Sequence, residues 1–90
     1  MKVYCVSYDL NKSGQNYNDL YDEIKSSPGW CHILDSTWLI STSETASQLS
    51  ERLLKNIDDN DELLVIKVSR DYSGWLSKTT WSWIDQHVNS

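Results

Sequence analysis

The stretch Val3-Tyr4-Cys5-Val6-Ser7-Tyr8-Asp9-Leu10 limits the possible folds more than any other part of the chain. It is dense in β-branched and aromatic residues and is bounded by Asn11, Ser13 and Gly14, so it reads as a first strand in the centre of a sheet. Alternation over Lys2 to Leu10 puts Val3, Cys5, Ser7 and Asp9 on one face and Tyr4, Val6, Tyr8 and Leu10 on the other. The second set is larger and more apolar and should face helices. Asp9 stands where strand gives way to loop, the end at which open α/β sheets gather ligand sites.

The rest of the chain supplies partners for that strand. Asn11 to Asn16 is a polar loop, with Asn16 as candidate N-cap. Tyr17, Leu20, Tyr21 and Ile24 then recur at i, i+3, i+4 and i+7, the signature of an amphipathic helix, which Ser27-Pro28-Gly29 stops. Trp30 to Leu34 and Thr37 to Thr42 read as a hairpin turning at Asp35-Ser36. Ser43 can cap a second helix with Glu44 in its first turn and a buried stripe of Ala46, Leu49, Leu53, Leu54 and Ile57. Glu62 to Ser69 is a fourth strand, and its run Leu63-Leu64-Val65-Ile66 suggests a central one. Arg70 to Gly74 is a loop, and Trp75-Leu76 leads into a short helix over about Thr79 to Val88. Leu76, Thr80, Ile84 and Val88 share one side of that extension. The order β-α-β-β-α-β predicts an α+β domain of ferredoxin-like type, a four-stranded antiparallel sheet with two helices on one face. Residues 1–69 form its core and residues 70–90 a C-terminal extension.

Ninety residues make one domain of modest stability, which pairing with a second copy would raise. Thirteen acids against eight bases give a net charge of -5, which disfavours non-specific binding to nucleic acid. Two cysteines are too few for a secreted disulfide scaffold, and as strand residues they read as buried free thiols. No signal peptide precedes the first strand and no apolar run is long enough to span a bilayer, so a cytoplasmic protein is expected.

Asp9 is the sharpest candidate for chemistry. A carboxylate there can bind a divalent cation, and two copies in a homodimer could share one; its structural alternative is an acid that opens a turn. Asp35, Ser36 and Thr37 could gather a carboxylate and two hydroxyls at a hairpin tip, or simply make the turn. His32 and His87 lack a ligand-spaced neighbour, and Asp58 to Asp61 lacks the glycine and glutamate spacing of a calcium loop. Five tryptophans with few basic neighbours favour core and dimer interface over base stacking.

The order of elements, the length and the opening VYCVSYDL resemble the small CRISPR-associated second Cas protein and virulence-associated protein D (VapD). Asp35-Ser36-Thr37-Trp38 is similar to the hairpin stretch of that Cas family, and Asp61 with Leu63-Leu64-Val65-Ile66 to its acid and fourth strand. The YDLNK, LDSTW and NDELLV segments resemble short bacterial proteins labelled SinR-like. The resemblance covers roughly residues 1–69. It implies a ferredoxin-like homodimer in which Asp9 binds the metal, Mg²⁺ or Mn²⁺, of a phosphodiesterase acting on RNA or DNA. Ser7 and Asn11, with Asp35 and Ser36, would contact the substrate or support the metal ligand. The acidic charge, and a terminal segment that reads as helix where many of those proteins exchange a strand, depart from the pattern. The alternative is a non-catalytic homodimeric interaction module of a defence or toxin–antitoxin system.

Overall fold

A computed structural model of the chain describes residues 1–11 and 16–89. The elements run β1 (Lys2–Asp9), α1 (Asn18–Lys25), β2 (Gly29–Leu34), β3 (Thr37–Thr42), α2 (Ala46–Leu54), β4 (Glu62–Lys67) and α3 (Lys78–Val88). The four strands form one antiparallel sheet in the order β2-β3-β1-β4, so the ferredoxin-like fold is the observed one. β1 lies inside the sheet as expected. β4 does not: it pairs with β1 alone and forms an edge. Its apolar run misleads because only Leu63 and Val65 face the helices, while Leu64 and Ile66 point to the other side and are more than half exposed. The continuously buried strand is β3, which is flanked on both sides.

The helices α1 and α2 cover one face. Tyr4, Val6, Tyr8, Trp38 and Ile40 from the sheet pack there on Leu20, Ile24, Leu49 and Leu53, which is the face division that alternation along β1 predicts. Leu54, expected in the buried stripe of α2, is instead exposed. The helix starts also differ from the sequence reading. α1 is capped at Tyr17, and Asn16 instead accepts from the Asn18 N–H through its side chain at 2.8 Å. α2 starts after Thr45, not Ser43: Thr45 Oγ1 accepts from Gln48 N and Gln48 Oε1 accepts from Thr45 N, a reciprocal capping box. The polar loop expected from Asn11 to Asn16 lies largely outside the described residues.

Arg52 ties the two helices together. Its guanidinium donates twice to the Glu44 carboxylate, at 3.1 and 2.8 Å, and also to the Glu23 carbonyl and Ser27 Oγ. The hydrogen bonds from Arg52 hold the Glu44 carboxyl below its ordinary pKa. A carboxyl depressed on folding contributes stability that is present above its unfolded pKa and lost as pH falls through the folded value. Glu44→Gln is therefore expected to flatten the loss of stability below about pH 4.5, read as urea midpoints across a pH series.

α3 covers the second face. Ile84 is buried against Val3 and Leu39, with Leu76, Trp81, Trp83 and Val88 around it. Its last turn comes close to the sheet at Gly29, where a Cβ would lie 3.0 Å from Ser41 Cβ and 3.4 Å from the His87 ring. Glycine at this position admits the close approach of β3 at Ser41, while the His87 ring sits at ordinary contact distance. Cys5 and Cys31 lie under this layer as free, half-buried thiols, both pushed up in pKa by burial. Each pairs with Leu39 from opposite sides, two strand spacings apart, about 10 Å and too far for a disulfide.

Candidate functional site

The carboxyl end of β1 brings together residues from the two strands that flank it. The β1–β4 register sets Asp9 directly opposite Glu62, and Ser7 opposite Leu64. The β1–β3 register sets Ser7 opposite Thr37, with the two hydroxyls 3.3 Å apart. Directly opposed residues share a face of the sheet, so Ser7, Asp9, Glu62, Leu64 and Thr37 lie on the face away from α1 and α2. Ser7, Tyr8, Asp9, Glu62, Leu63 and Leu64 line a shallow open groove there. Asp9 and Glu62 are both exposed, and like charges in direct opposition repel each other.

The remaining candidates are placed differently. Asn11 turns away from Asp9: its N–H donates to Asp61 Oδ1 at 2.7 Å and its side-chain amide to the Asn60 carbonyl at 3.0 Å. Ser36 meets the end of β1 through its backbone, accepting from the Tyr8 N–H at 3.1 Å. Asp35 is exposed at the hairpin tip, its carbonyl 3.1 Å from His32 Nε2. The His32 ring lies flat on Trp38 at a centroid distance of 3.9 Å. His87 stacks on Trp83 and makes a 2.7 Å hydrogen bond to the Trp83 carbonyl.

Asp61 underpins the site. This buried carboxylate accepts from the Tyr17 hydroxyl at 2.8 and 2.9 Å, from Asn11 N and from Asp58 N. It thus fixes the exit of β1 to the entrance of β4 and to the start of α1, and so sets where Asp9 and Glu62 stand. Among the described residues no group of three or more His, Cys, Asp or Glu side chains is arranged to hold a metal ion. A pair of carboxylates nevertheless fits Mg²⁺, which is commonly held by one or two carboxylates and completes its octahedron with water and substrate phosphate.

Glu62 is the residue the sequence reading missed. Its acidic neighbours Asp59 and Asp61 hid it, and only the strand register marks it out. The tryptophans divide by depth. Trp38 is core, Trp81 and Trp83 are half-buried against the sheet, and Trp30 and Trp75 are exposed, with the Lys25 ammonium 5.4 Å over the Trp30 ring. Among the described residues no helix is long and apolar enough to cross a membrane.

No protein-family model matches the chain. Among solved structures, the chain is similar to a hypothetical protein, TT1823, from Thermus thermophilus. The TM-score is 0.61 at 20% identity, over 84% of this chain and 94% of the other. At that identity the likeness concerns the fold.

Proposed function

We propose that the protein is a divalent-cation-dependent phosphodiesterase acting on RNA or DNA, of the Cas- and VapD-like kind that its opening strand resembles. One observation carries this reading: Asp9 and Glu62 stand directly opposite each other at the exposed end of β1 and β4. Two like charges in that position are relieved by a cation between them, and Asp9 and Glu62 would hold Mg²⁺ or Mn²⁺ there. When bound, such an ion supplies Lewis-acid charge neutralisation for phosphodiester hydrolysis. Ser7 and Thr37 offer hydroxyls on the same face to hydrogen-bond a phosphate oxygen, and Leu64 forms an apolar wall of the groove. Asp61 is a positioning residue that acts through the backbone at Asn11 and Asp58. The two free thiols fit a reducing compartment, and we place the protein in the cytoplasm.

The test is cleavage of labelled RNA and DNA with Mg²⁺, Mn²⁺ or EDTA. Wild type is expected to cut only with metal, and Asp9→Ala and Glu62→Gln should each lose about 100-fold or more in rate while keeping their circular dichroism. Metal-independent cleavage, or full activity in both variants, refutes the reading.

A second reading is a non-catalytic interaction module in a defence or toxin–antitoxin setting. It is favoured by the net charge of -5 and by the exposed apolar side chains Leu64, Ile66 and Trp75. Absence of cleavage by wild type under every metal condition would select it.

A further inference from the structure

The pairing of β4 with β1 runs on past the end of the strand. Whereas β2 slips register against β3 between His32 and Leu34, β4 keeps an unbroken register with β1, and the Val68 N–H goes on to donate to the Val3 carbonyl at 2.8 Å. Continued by one residue, that register sets Ser69 opposite Lys2. Lys67 then stands diagonally across from Lys2, a separation of roughly 7–8 Å. Arg70 follows Ser69 directly. The strand pair that carries the opposed acids Asp9 and Glu62 at one end therefore carries a group of bases at the other.

These bases line two adjoining hollows. Lys67, Ser69 and Arg70 border one of about 380 Å³, and Lys2, Lys67 and His87 border another of about 130 Å³. Val68 and Val88 belong to both. Among the described residues no acid lines either hollow, and Lys2, Lys67 and Arg70 form no ion pair. The Glu44 carboxylate is taken by Arg52, Asp85 of α3 accepts from Asn89, and Asp71 lines neither hollow although it follows Arg70. Ser69 Oγ accepts from the Asp71 N–H at 3.2 Å, which leaves its own O–H to donate. Cations gathered without a counter-charge repel one another, and an anion among them relieves that repulsion.

We propose that this end of the sheet is a binding site for a compact phosphate polyanion, of the pyrophosphate or triphosphate type, with Lys2, Lys67 and Arg70 as its cations. The Arg70 guanidinium suits a bidentate grip on one phosphate, and the two lysines suit point-charge contact with the next. The larger hollow falls within the range of small-ligand sites, roughly 300–1,000 Å³. Val68 and Val88 keep water from part of its wall, which strengthens the attraction of the charges beside them. An extended polyanion is selected against. Three of the eight bases are gathered here, so the rest of the surface carries an even larger negative excess than the net charge of -5. Val88 ends α3, so an anion held here also joins the last turn of that helix to the sheet.

Lys2 and Asp9 are separated by the length of β1, roughly 23 Å, so this site is distinct from the Asp9–Glu62 pair and does not rest on the phosphodiesterase reading. The test is calorimetric titration of the full chain with pyrophosphate, in EDTA so that no cation bridges the probe to Asp9 and Glu62. One site is expected, weakening with added salt. Orthophosphate, which spans fewer of the cations, should bind about tenfold more weakly. Lys67→Gln with Arg70→Gln, both at exposed positions, should weaken pyrophosphate binding about tenfold or more, and Lys2→Gln about threefold, with circular dichroism unchanged. If the double variant does not fold, Arg70→Gln alone decides. Lys55→Gln, at an exposed lysine elsewhere, and Asp9→Ala should each leave binding unchanged. No binding of pyrophosphate, full binding by the Lys67 and Arg70 variants, an equal loss in Lys55→Gln, or tighter binding of a single-stranded oligonucleotide through the same residues would each overturn the proposal.

Discussion

Asp61→Ala is expected to destabilise the fold by about 3 kcal/mol, measured as a lower urea midpoint at unchanged slope. Removing the carboxylate deprives the Tyr17 hydroxyl and the Asn11 and Asp58 N–H groups of a common acceptor, two of them at loop positions that this carboxylate holds in register. Leaving polar groups without a partner where water is restricted costs more than the net worth of the bonds themselves. Asp61→Asn keeps one acceptor oxygen and the side-chain volume, so it should cost roughly half as much. The pair of variants separates the charge from the connectivity. If Asp61→Ala is as stable as wild type, the carboxylate does not organise the end of β1, and the placement of Asp9 and Glu62 must come from the strands alone.

Trp38→Ala should be the most damaging single change in the core, at about 4 kcal/mol. Trp38 is 2% exposed and sits between the layers, its Nε1–H donating to Tyr8 Oη at 2.9 Å. Tyr21 stacks on it at 6.2 Å and His32 at 3.9 Å. For a domain of this size such a loss lowers the melting temperature by some 15 °C or more, so the variant should be largely unfolded well before the wild type in a thermal scan. Trp38→Phe retains part of the packing but strands the Tyr8 hydroxyl, and an intermediate melting temperature is expected. A Trp38→Phe protein as unstable as Trp38→Ala would show that the indole N–H, rather than the ring volume, is the larger contribution.

Much of the fold is legible because periodicity is a local property. The apolar spacing of Tyr17, Leu20 and Ile24, and the alternation along β1, identify elements and faces without knowledge of neighbours. Lateral position is not local. Leu63 to Ile66 reads as a central strand because four apolar residues in a row suggest two buried faces, yet α3 stops short of β4 and leaves one face open. The cap of α2 lies two residues beyond the expected one because Ser43 and Thr45 are chemically alike, and the Gln48 that completes the box decides between them. At the candidate site, Asp9 is visible from its place at a strand end. Glu62 is not, because cross-strand opposition depends on a register that spans more than fifty residues of sequence. Closeness to Asp9 in sequence suggests that Asn11 shares its site, whereas its amide is held by the loop before β4.

The irregularity in β2 also bears on stoichiometry. A sheet with two receptive borders can add subunits without limit and grows into a filament. Here the borders are unlike: β4 keeps an unbroken register, whereas β2 is irregular. The break between His32 and Leu34 thus makes β2 a poorer template for a further strand than β4. A more regular β2 would have given the sheet a second open border beside that of β4.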